Sequence, residues 1–327
     1  MSRILVTDKT DPVLQQTLEA AGHTVVVDTT VTYDSLLEQI GQFDALVVRS
    51  KINIDRHFLD HARHLRCIGR VGAGMETIDV DYAESLGIRC LNSPEGNRDA
   101  VGEHALGLLL ALMDNIARAD AEVRKGLWQR EANRGLEIKG RTIGIIGFGN
   151  MGSAFAQRLQ GFECDIIAYD KYKPAGYAPA YVQEVSLEEL QERAEVVSLH
   201  VPLTPETHHM VDYHFIQHFR HPFFIINTSR GAVVNTPDLV EALDKLQILG
   251  AALDVIEYEV MSKDGLDLEH LPPDFQYLIH SPRTVLTPHV AGWTVESRYK
   301  LAAVLAQKMI QILSQQPHYS HPFTTIC

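Results

Sequence analysis

The chain has 327 residues, a length that predicts about two domains, and its 45% of hydrophobic residues can form sizeable cores. Lys and Arg number 29 against 42 Asp and Glu, so the formal net charge is −13, which disfavours nucleic acid and anionic membranes as partners. No apolar run approaches the roughly 20 residues of a membrane-spanning helix. Four scattered cysteines without a CxxC pair indicate reduced thiols and a cytoplasmic location: Cys67, Cys90, Cys164 and Cys327.

Strand and helix patterns alternate over the first hundred residues, which predicts βαβ units and a parallel sheet. The predicted strands are Arg3–Thr7, His23–Val27, Ala45–Ser50, Leu65–Val71 and Ile88–Asn92. The predicted helices are Pro12–Ala21, Ser35–Gly41, Asp55–Arg63 and Asp79–Gly87. Gly22 and Gly87 stand where glycine usually ends a helix before the next strand.

A longer helical pattern runs from about Asp99 to Lys125, and we place the first domain boundary at its start. The segment from Ala105 to Leu112 is apolar nearly all round. Such a helix must be covered on most sides, so we expect it to lie between two domains or two subunits.

The strand and helix alternation then begins again. Predicted strands are Thr142–Ile146, Asp165–Tyr169, Val196–Val201, Phe223–Thr228, Gly250–Ile256 and Thr284–Thr287. Predicted helices are Ala154–Leu159, Leu187–Ala194, Thr236–Leu246 and the amphipathic Thr294–Leu313. The segment Met261–Arg283 contains Pro272 and Pro273 without clear periodicity, which predicts a long surface loop.

A glycine-rich motif, Gly147-Phe-Gly149-Asn150-Met151-Gly152, follows a predicted strand and begins a helix. Its glycines permit a tight turn, close approach of a pyrophosphate and close packing of helix on strand. Asp170 ends the next strand, 18 residues beyond Gly152, where a carboxylate binds ribose hydroxyls. The motif therefore predicts a dinucleotide site that prefers NAD to NADP, and the neighbouring Lys171 weakens this preference without reversing it.

The position of this motif predicts an inserted domain. A first α/β unit precedes it, so we expect an α/β fold with two Rossmann-like or flavodoxin-like parallel-sheet domains. The substrate-binding domain is predicted to comprise residues 1–98 and 292–327, with the NAD-binding domain, residues 99–291, inserted in it. We expect binding in the cleft between these domains.

The sequence resembles the D-isomer-specific 2-hydroxyacid dehydrogenase family from about residue 40 to 312. Besides the glycine motif, the matching segments are residues 48–50, 69–74 with 78–79, 92–97, 227–231 (Asn-Thr-Ser-Arg-Gly), 250–255 and 287–289 (Thr-Pro-His). The resemblance implies an NAD-dependent oxidoreductase that acts on a small anionic substrate and forms a homodimer through the NAD domain.

The family's catalytic trio falls on Arg230, Glu259 and His289. A histidine exchanges a proton with the substrate oxygen, a carboxylate beside it favours the charged ring, and an arginine holds the substrate carboxylate. The glutamate assignment departs from the family pattern, because Val260 follows it where proline is usual and the stretch to His289 is long. Glu257 is the alternative, although the spacing from Asp254 favours Glu259.

The resemblance also implies two sets of binding residues. For NAD it implicates Gly147, Gly149, Asn150, Met151, Gly152, Asp170, Val201, Pro202, Thr228, Asp254 and Gly292. For the substrate it implicates Arg49, Ser50, Arg70, Gly72, Ala73, Gly74, Asn97 and Arg130, and Trp293 follows the histidine loop.

The arginines Arg49 and Arg70 resemble the cationic pocket with which some family members bind a substrate phosphate, which predicts oxidation of D-3-phosphoglycerate to 3-phosphohydroxypyruvate. The alternatives are a reductase of glyoxylate, hydroxypyruvate or another D-2-hydroxy acid, and arginines that merely pair with the chain's own carboxylates. Arg130 matches a position that reaches a neighbouring subunit's site, but Glu131 and Ala132 replace the basic residues expected after it.

Two histidine groups have helical spacing: His57, His61 and His64, and His214, His218 and His221. No accompanying cysteine or carboxylate makes a zinc motif, so we interpret both as solvated helix faces and predict no metal.

A hypothesis of a different class is an NAD-sensing, corepressor-like dimer that binds without turnover. The intact trio favours an enzyme instead. Only 14 residues follow Leu313, so we expect no C-terminal regulatory domain.

Overall fold

The computed structural model describes residues 1–259 and 270–315, and the chain divides into two compact units. The first comprises Met1–Asn97 and the segment that starts at Thr294. The second comprises Arg98–Trp293. The units change at 97/98 and 293/294, whereas the sequence placed the boundaries at 98/99 and 291/292.

The described residues form twelve strands and twelve α-helices. The strands are β1 Arg3–Val6, β2 Thr24–Val27, β3 Ala45–Val48, β4 Cys67–Arg70, β5 Arg89–Leu91, β6 Thr142–Ile146, β7 Asp165–Tyr169, β8 Gln183–Glu184, β9 Val196–Leu199, β10 Phe223–Asn227, β11 Ile248–Leu253 and β12 Thr284–Leu286. The helices are α1 Pro12–Ala20, α2 Tyr33–Gln39, α3 Arg56–His61, α4 Val80–Ser85, α5 Arg98–Met113, α6 Ile116–Arg124, α7 Asn150–Leu159, α8 Leu187–Arg193, α9 Tyr213–Gln217, α10 Thr236–Asp244, α11 Pro273–His280 and α12 Val295–Ser314. Short 3₁₀ helices are Ile40–Gln42, Pro94–Gly96, Gln160–Phe162 and Gly231–Val233.

The first unit is built on a five-stranded parallel sheet of order β2-β1-β3-β4-β5. This is the flavodoxin-like order, and its direction of winding reverses between β1 and β3. Gly22 and Gly87 have φ of +84° and +81°, as expected for glycines that end helices. Helix α12 begins with a capping box at Thr294 and Ser297 and packs its apolar face against this sheet.

The second unit is built on a seven-stranded parallel sheet of order β12-β11-β10-β9-β6-β7-β8. The winding reverses between β6 and β9, and ligands of such sheets bind outside the carboxyl ends of the strands at this point. Apolar cores cover both faces of the sheet. The predicted α/β fold with two parallel sheets is therefore confirmed.

The long helix predicted over residues 99–125 is wrong, because the structure has two helices. Asn115 adopts a left-handed conformation with φ of 54°, and α5 and α6 meet there at 63°. The apolar face of α5 packs on α7 and the sheet, and Gly102 lets it approach the Ala154 backbone closely. The buried side of α5 therefore packs within the second unit.

Among the described residues, no single helix is long and apolar enough to span a membrane; α5 and α6 meet that criterion only as a bent pair, judged by length and composition.

The loop predicted over Met261–Arg283 is also wrong in part. Residues 260–269 lie outside the described part of the chain, but α11 follows them. Pro273 occupies the first position of α11, where proline needs no hydrogen-bond partner for its nitrogen. Phe275 and Leu278 are buried one turn apart, which gives the helix its packed side.

Candidate active site

The glycine motif lies at the reversal point of the seven-stranded sheet. A Cβ on Gly147 would lie 2.6 Å from the carbonyl oxygen of His200, and one on Gly152 would lie 2.1 Å from the oxygen of Gly147. Gly149 instead faces open space, and it begins α7, whose first residues are Asn150 and Met151. The backbone N–H groups of this helix start are thus open to an anionic group.

Asp170 follows β7 and is tied to the same turn. Its carboxylate accepts hydrogen bonds from the Phe148 N–H at 2.8 Å and the Tyr172 N–H at 3.0 Å. A carboxylate has lone pairs beyond these two, so it can still accept ribose hydroxyls. Lys171 pairs with the carboxylate of Glu206, which directs this cation to a partner within the chain.

The ends of β9 and β10 lie at the same edge of the sheet as the glycine motif. Val201 and Pro202 follow β9, and a Cβ on Gly147 would touch the Val201 side chain at 3.0 Å. After β10, the hydroxyl oxygen of Thr228 is buried without a hydrogen-bond partner. A buried polar atom of this kind needs a partner, and the open helix start together with Thr228 fits a bound dinucleotide.

Asp254 follows β11 and fixes the loop that carries His289. Its buried carboxylate accepts hydrogen bonds from the Thr287 hydroxyl at 2.6 Å and from the N–H groups of Val290 and Ala291, both at 2.9 Å. Burial alone would raise the pKa of Asp254, but hydrogen bonds from His104, Thr287 and the two amides lower it below its ordinary value. The ionised Asp254 is therefore the anchor of the loop.

His289 and Glu259 form a hydrogen-bonded pair at the carboxyl edge of the sheet. The Nδ1 of His289 lies 2.9 Å from Oε2 of Glu259, and the two side chains are 50% and 37% exposed. The hydrogen bond to Glu259 raises the pKa of His289, while burial and the nearby Arg230 oppose this rise. Pairing through Nδ1 leaves Nε2 as the nitrogen that can exchange a proton with a ligand.

Arg230 belongs to the turn after β10. Ser229 donates its N–H and its hydroxyl to the side-chain oxygen of Asn227, whose amide donates to the Arg230 carbonyl oxygen at 2.9 Å. The turn is therefore held by side chains as well as by backbone. The positive charge of Arg230 acts on His289 and lowers its pKa, against the rise that Glu259 causes.

The structure distinguishes between the two candidate glutamates. Glu257 does not contact His289; its Oε1 lies 2.6 Å from Nε2 of His209. Glu259 is the carboxylate beside His289, as the spacing from Asp254 favoured.

The two predicted substrate arginines of the first unit lie at the carboxyl ends of the adjacent strands β3 and β4. Arg49 follows β3 and Arg70 ends β4; Nε of Arg70 donates to the Arg49 carbonyl oxygen at 3.2 Å. The backbone N–H of Arg49 donates to Asp8 at 3.0 Å. The Arg70 guanidinium lies over Gly72, where a Cβ would be 2.3 Å from it, so a larger residue at this position would require the arginine side chain to shift.

The loop of Gly72, Ala73 and Gly74 is connected to the segment that precedes Asn97. Asn92 donates to the Ala73 carbonyl oxygen at 2.6 Å, and the Ser93 N–H donates to that of Gly72 at 2.9 Å. The side-chain oxygen of Asn97 is buried without a partner, which fits a residue that awaits a ligand.

Other predicted site residues are placed less tightly. Ser50 is exposed beside Arg49, Arg130 is exposed in the segment after α6, and Gly292 and the exposed Trp293 end the second unit. Arg130 is thus an exposed residue of the second unit, whereas the other predicted substrate residues belong to the first.

The described residues contain no group of three or more His, Cys, Asp or Glu side chains arranged to hold a metal ion. The two predicted histidine faces are wrong in extent. Helix α3 ends at His61 and α9 at Gln217, so His64, His218 and His221 lie beyond the helices.

Sequence reasoning missed several residues that support the site. His104 lies 3.0 Å from the Thr287 hydroxyl and 3.4 Å from Asp254, and Glu206 pairs with Lys171. Thr287 stood within a matching motif, which was a usable signal. His104 had none, because it is separated from Asp254 by about half of the chain.

Comparison with known proteins identifies the class to which this fold and site belong. The family model described as "D-isomer specific 2-hydroxyacid dehydrogenase, NAD binding domain" matches residues 106–291. The chain therefore belongs to the D-isomer-specific 2-hydroxyacid dehydrogenase family, and its cofactor is NAD, as the sequence predicted.

The individual relatives are named for different activities. The chain is 35% identical over 315 residues to D-3-phosphoglycerate dehydrogenase of Methanocaldococcus jannaschii; the match covers 96% of this chain but 58% of that protein. It is 33% identical over 314 residues to hydroxypyruvate reductase of Thermotoga maritima, covering 95% and 98%. Among solved structures, D-lactate dehydrogenase of Aquifex aeolicus complexed with NAD and lactic acid has a TM-score of 0.78 and 25% identity, covering 95% and 94%. The chain thus spans little more than half of its phosphoglycerate dehydrogenase relative.

Proposed function

We propose that this protein oxidises a D-2-hydroxy acid to the 2-oxo acid with NAD, or catalyses the reverse reduction. The observation that carries this proposal is the His289–Glu259 pair beside Arg230, located at the carboxyl edge of an NAD-binding sheet. In the oxidation, the substrate loses its hydroxyl proton and a hydride, and bound NAD supplies the hydride acceptor.

Three side chains perform the protein's part of the reaction. His289 accepts the hydroxyl proton at Nε2 in oxidation and donates it in reduction, while Glu259 holds the ring through Nδ1. Arg230 binds the substrate carboxylate and polarises the 2-oxygen. Because Glu259 raises the pKa of His289, the proton-donating form persists to higher pH than in an isolated histidine.

The cofactor is held by the residues at the reversal point of the larger sheet. The start of α7, with Gly149, Asn150 and Met151, binds the pyrophosphate, and Asp170 binds the ribose hydroxyls. Val201 and Pro202, Thr228, Asp254 and Gly292 contact the remaining groups. The pairing of Lys171 with Glu206 supports a preference for NAD over NADP, because the cation is directed away from a 2′-phosphate.

We propose D-3-phosphoglycerate as the substrate, with Arg49 and Arg70 binding its phosphate and the Gly72–Gly74 loop and Asn97 its carboxylate end. Two arginines at adjacent strand ends, one seated over a glycine, support an anion site. The second candidate is reduction of hydroxypyruvate or glyoxylate, favoured by the full-length match to a hydroxypyruvate reductase.

The test is a substrate series followed by NADH absorbance. Turnover is measured with D-3-phosphoglycerate and D-glycerate for oxidation, and with hydroxypyruvate and glyoxylate for reduction. Arg70→Ala should raise the KM for the phosphorylated substrate about 10- to 100-fold, the loss of one charge-assisted interaction. Equal turnover of phosphorylated and unphosphorylated acids would refute the phosphate site. Binding of NAD without any turnover would support a sensor instead of an enzyme.

We further propose a homodimer formed through the NAD domain and located in the cytoplasm. Helix α6 has no buried residue, and apolar side chains are exposed on it and on the segment after it: Ile116, Val123, Leu127, Trp128 and Leu136. Such a patch favours a second copy as partner. Trp128→Glu should shift the sedimenting species from dimer to monomer, whereas Tyr172→Glu, an exposed aromatic elsewhere, should not. The unpaired thiols of Cys67, Cys90 and Cys164 fit a reducing compartment.

A further inference from the structure

A second histidine–glutamate pair lies next to the first. Glu257 is only 18% exposed, and its Oε2 accepts hydrogen bonds from the N–H and the hydroxyl of Thr236, at 2.7 and 2.5 Å. Its Oε1 accepts from Nε2 of His209 at 2.6 Å. Thr236 is the first residue of α10, so the carboxylate also lies at the positive end of a helix. Glu257 is therefore held by three hydrogen bonds and a helix dipole.

The orientation of His209 is determined by its other neighbours. Asn235 caps α10, and its side-chain oxygen accepts from the Asp238 N–H at 3.1 Å, so its NH₂ group faces Nδ1 of His209 at 3.3 Å. Since Nδ1 then accepts, the ring proton is on Nε2 and donates to Glu257. His209 has φ of 53°, a conformation that histidine and asparagine adopt more readily than most residues.

The backbone beside Glu257 is equally fixed. A Cβ on Gly231 would lie 2.1 Å from the carbonyl carbon of Ile256, so the turn after β11 rests directly on the residue that follows Arg230. The Ile256 N–H donates to Oε1 of Glu259 at 3.3 Å. Glu259 therefore projects from a short turn whose position is set by Gly231 on one side and by Glu257 on the other.

We infer that Glu257 and His209 are positioning residues that hold the 256–259 turn so that Glu259 reaches His289. This inference rests on the proposed function, because it explains how the proton-exchanging histidine keeps its carboxylate. Only Tyr258 separates Glu257 from Glu259, and consecutive Cα atoms stay about 3.8 Å apart. A shift of the backbone at Glu257 therefore moves the backbone at Glu259 as well. A displacement near 1 Å suffices to break a hydrogen bond of 2.9 Å.

The test compares three variants of the full chain. Glu257→Gln places an NH₂ group against either the His209 Nε2–H or the Thr236 donors, so one of these contacts is lost whichever way the amide is turned. His209→Asn keeps a residue suited to the backbone conformation but is too short to donate to Glu257. His209→Gln restores a donor at nearly the position of Nε2. We expect the first two to lower kcat about 10- to 100-fold and His209→Gln to remain near wild type.

The second readout is the titration of the His289 ring by NMR without substrate or cofactor, its signal assigned from its absence in His289→Gln. Glu257→Gln and His209→Asn should lower the His289 midpoint toward that of an isolated histidine, and His209→Gln should restore it. The inference is overturned if the variants lower only the unfolding temperature and leave kcat and this titration unchanged. Failure of the proposed function is distinguishable, since it would appear as full activity in His289→Gln.

Discussion

Glu257 and Glu259 are separated by one residue and each contacts a histidine, yet the two pairs differ in their surroundings. The side chains of Glu257 and His209 are 18% and 34% exposed, and both ring nitrogens have partners within the chain. The side chains of Glu259 and His289 are 37% and 50% exposed, and the carboxylate engages one ring nitrogen. A histidine whose nitrogens are both satisfied holds structure, whereas one with a nitrogen directed to solvent can exchange protons.

The largest effect is expected where this contrast is tested directly. His289→Gln keeps the size of the side chain but removes the proton donor and acceptor, so kcat should fall about 10²- to 10⁴-fold. The measurement is steady-state NADH absorbance with the preferred substrate. His218→Gln, a change of an exposed histidine in the same unit, should leave kcat unchanged. A His289→Gln enzyme with wild-type kcat would remove the basis for distinguishing the two pairs.

The second prediction concerns the anchor of the exposed pair. In Asp254→Asn the NH₂ group would replace one of the two oxygens and face the N–H of either Val290 or Ala291, so the free energy of unfolding should fall by about 1–3 kcal/mol. Urea unfolding at pH 7 measures this loss. Asp244→Asn, which changes an exposed carboxylate at the end of α10, serves as the control and should stay within about 0.5 kcal/mol of wild type.

The third prediction separates the two members of the exposed pair. Glu259→Gln should lower kcat about 10-fold and move the alkaline limb of the reduction profile to lower pH, because the pKa of His289 loses its main raising cause. The pH dependence of kcat is the measurement, and Glu241→Gln, an exposed glutamate paired with Lys245, is the control. An unshifted profile would mean that Glu259 does not set the protonation of His289.

The smallest expected effect is on stability. The pKa of His289 is raised in the folded protein, so its pairing stabilises the fold fully below the ordinary histidine pKa of about 6.5 and is lost as pH rises through the folded value. Because the pair is half exposed, the contribution should be below about 1 kcal/mol. The difference in urea stability between wild type and His289→Gln should therefore be larger at pH 5.5 than at pH 9.

Wild type must be compared with His289→Gln because His200 makes the stability of both proteins depend on pH in the opposite direction. Burial lowers the pKa of His200 to about 3, so wild-type stability falls as pH decreases below about 6.5, where the unfolded chain binds this proton. This effect is common to both proteins and cancels. A difference that grows toward pH 9 would contradict the proposed pairing of His289.

The local features of this protein were predictable because they depend on neighbouring residues. Strand β6, the Gly147–Gly152 turn and the Asp170 position follow from patterns within about 30 residues, and the structure places them at one sheet edge. The alternation of strand and helix likewise determined two parallel sheets, since parallel strands require crossover connections.

Some local features were misread for identifiable reasons. Pro272 and Pro273 are typical of a loop, but Pro273 occupies the first position of α11, where a proline starts a helix. The end of α5 was not predicted, because the helical pattern continues past it. The break depends on a single residue, Asn115, which adopts a left-handed conformation.

Only the tertiary structure decided which partners meet. His104 lies about 150 residues from Asp254, and His209 is separated from Glu257 by 48 residues, distances over which sequence spacing carries no information about contact. The spacing from Asp254 favoured Glu259 over Glu257, but only the folded chain shows the partner of each glutamate: a helix start lies beside Glu257 and a histidine loop beside Glu259. The sequence determined the class of chemistry through residue types and local motifs. The packing of strand ends determined which residues are brought together to perform it.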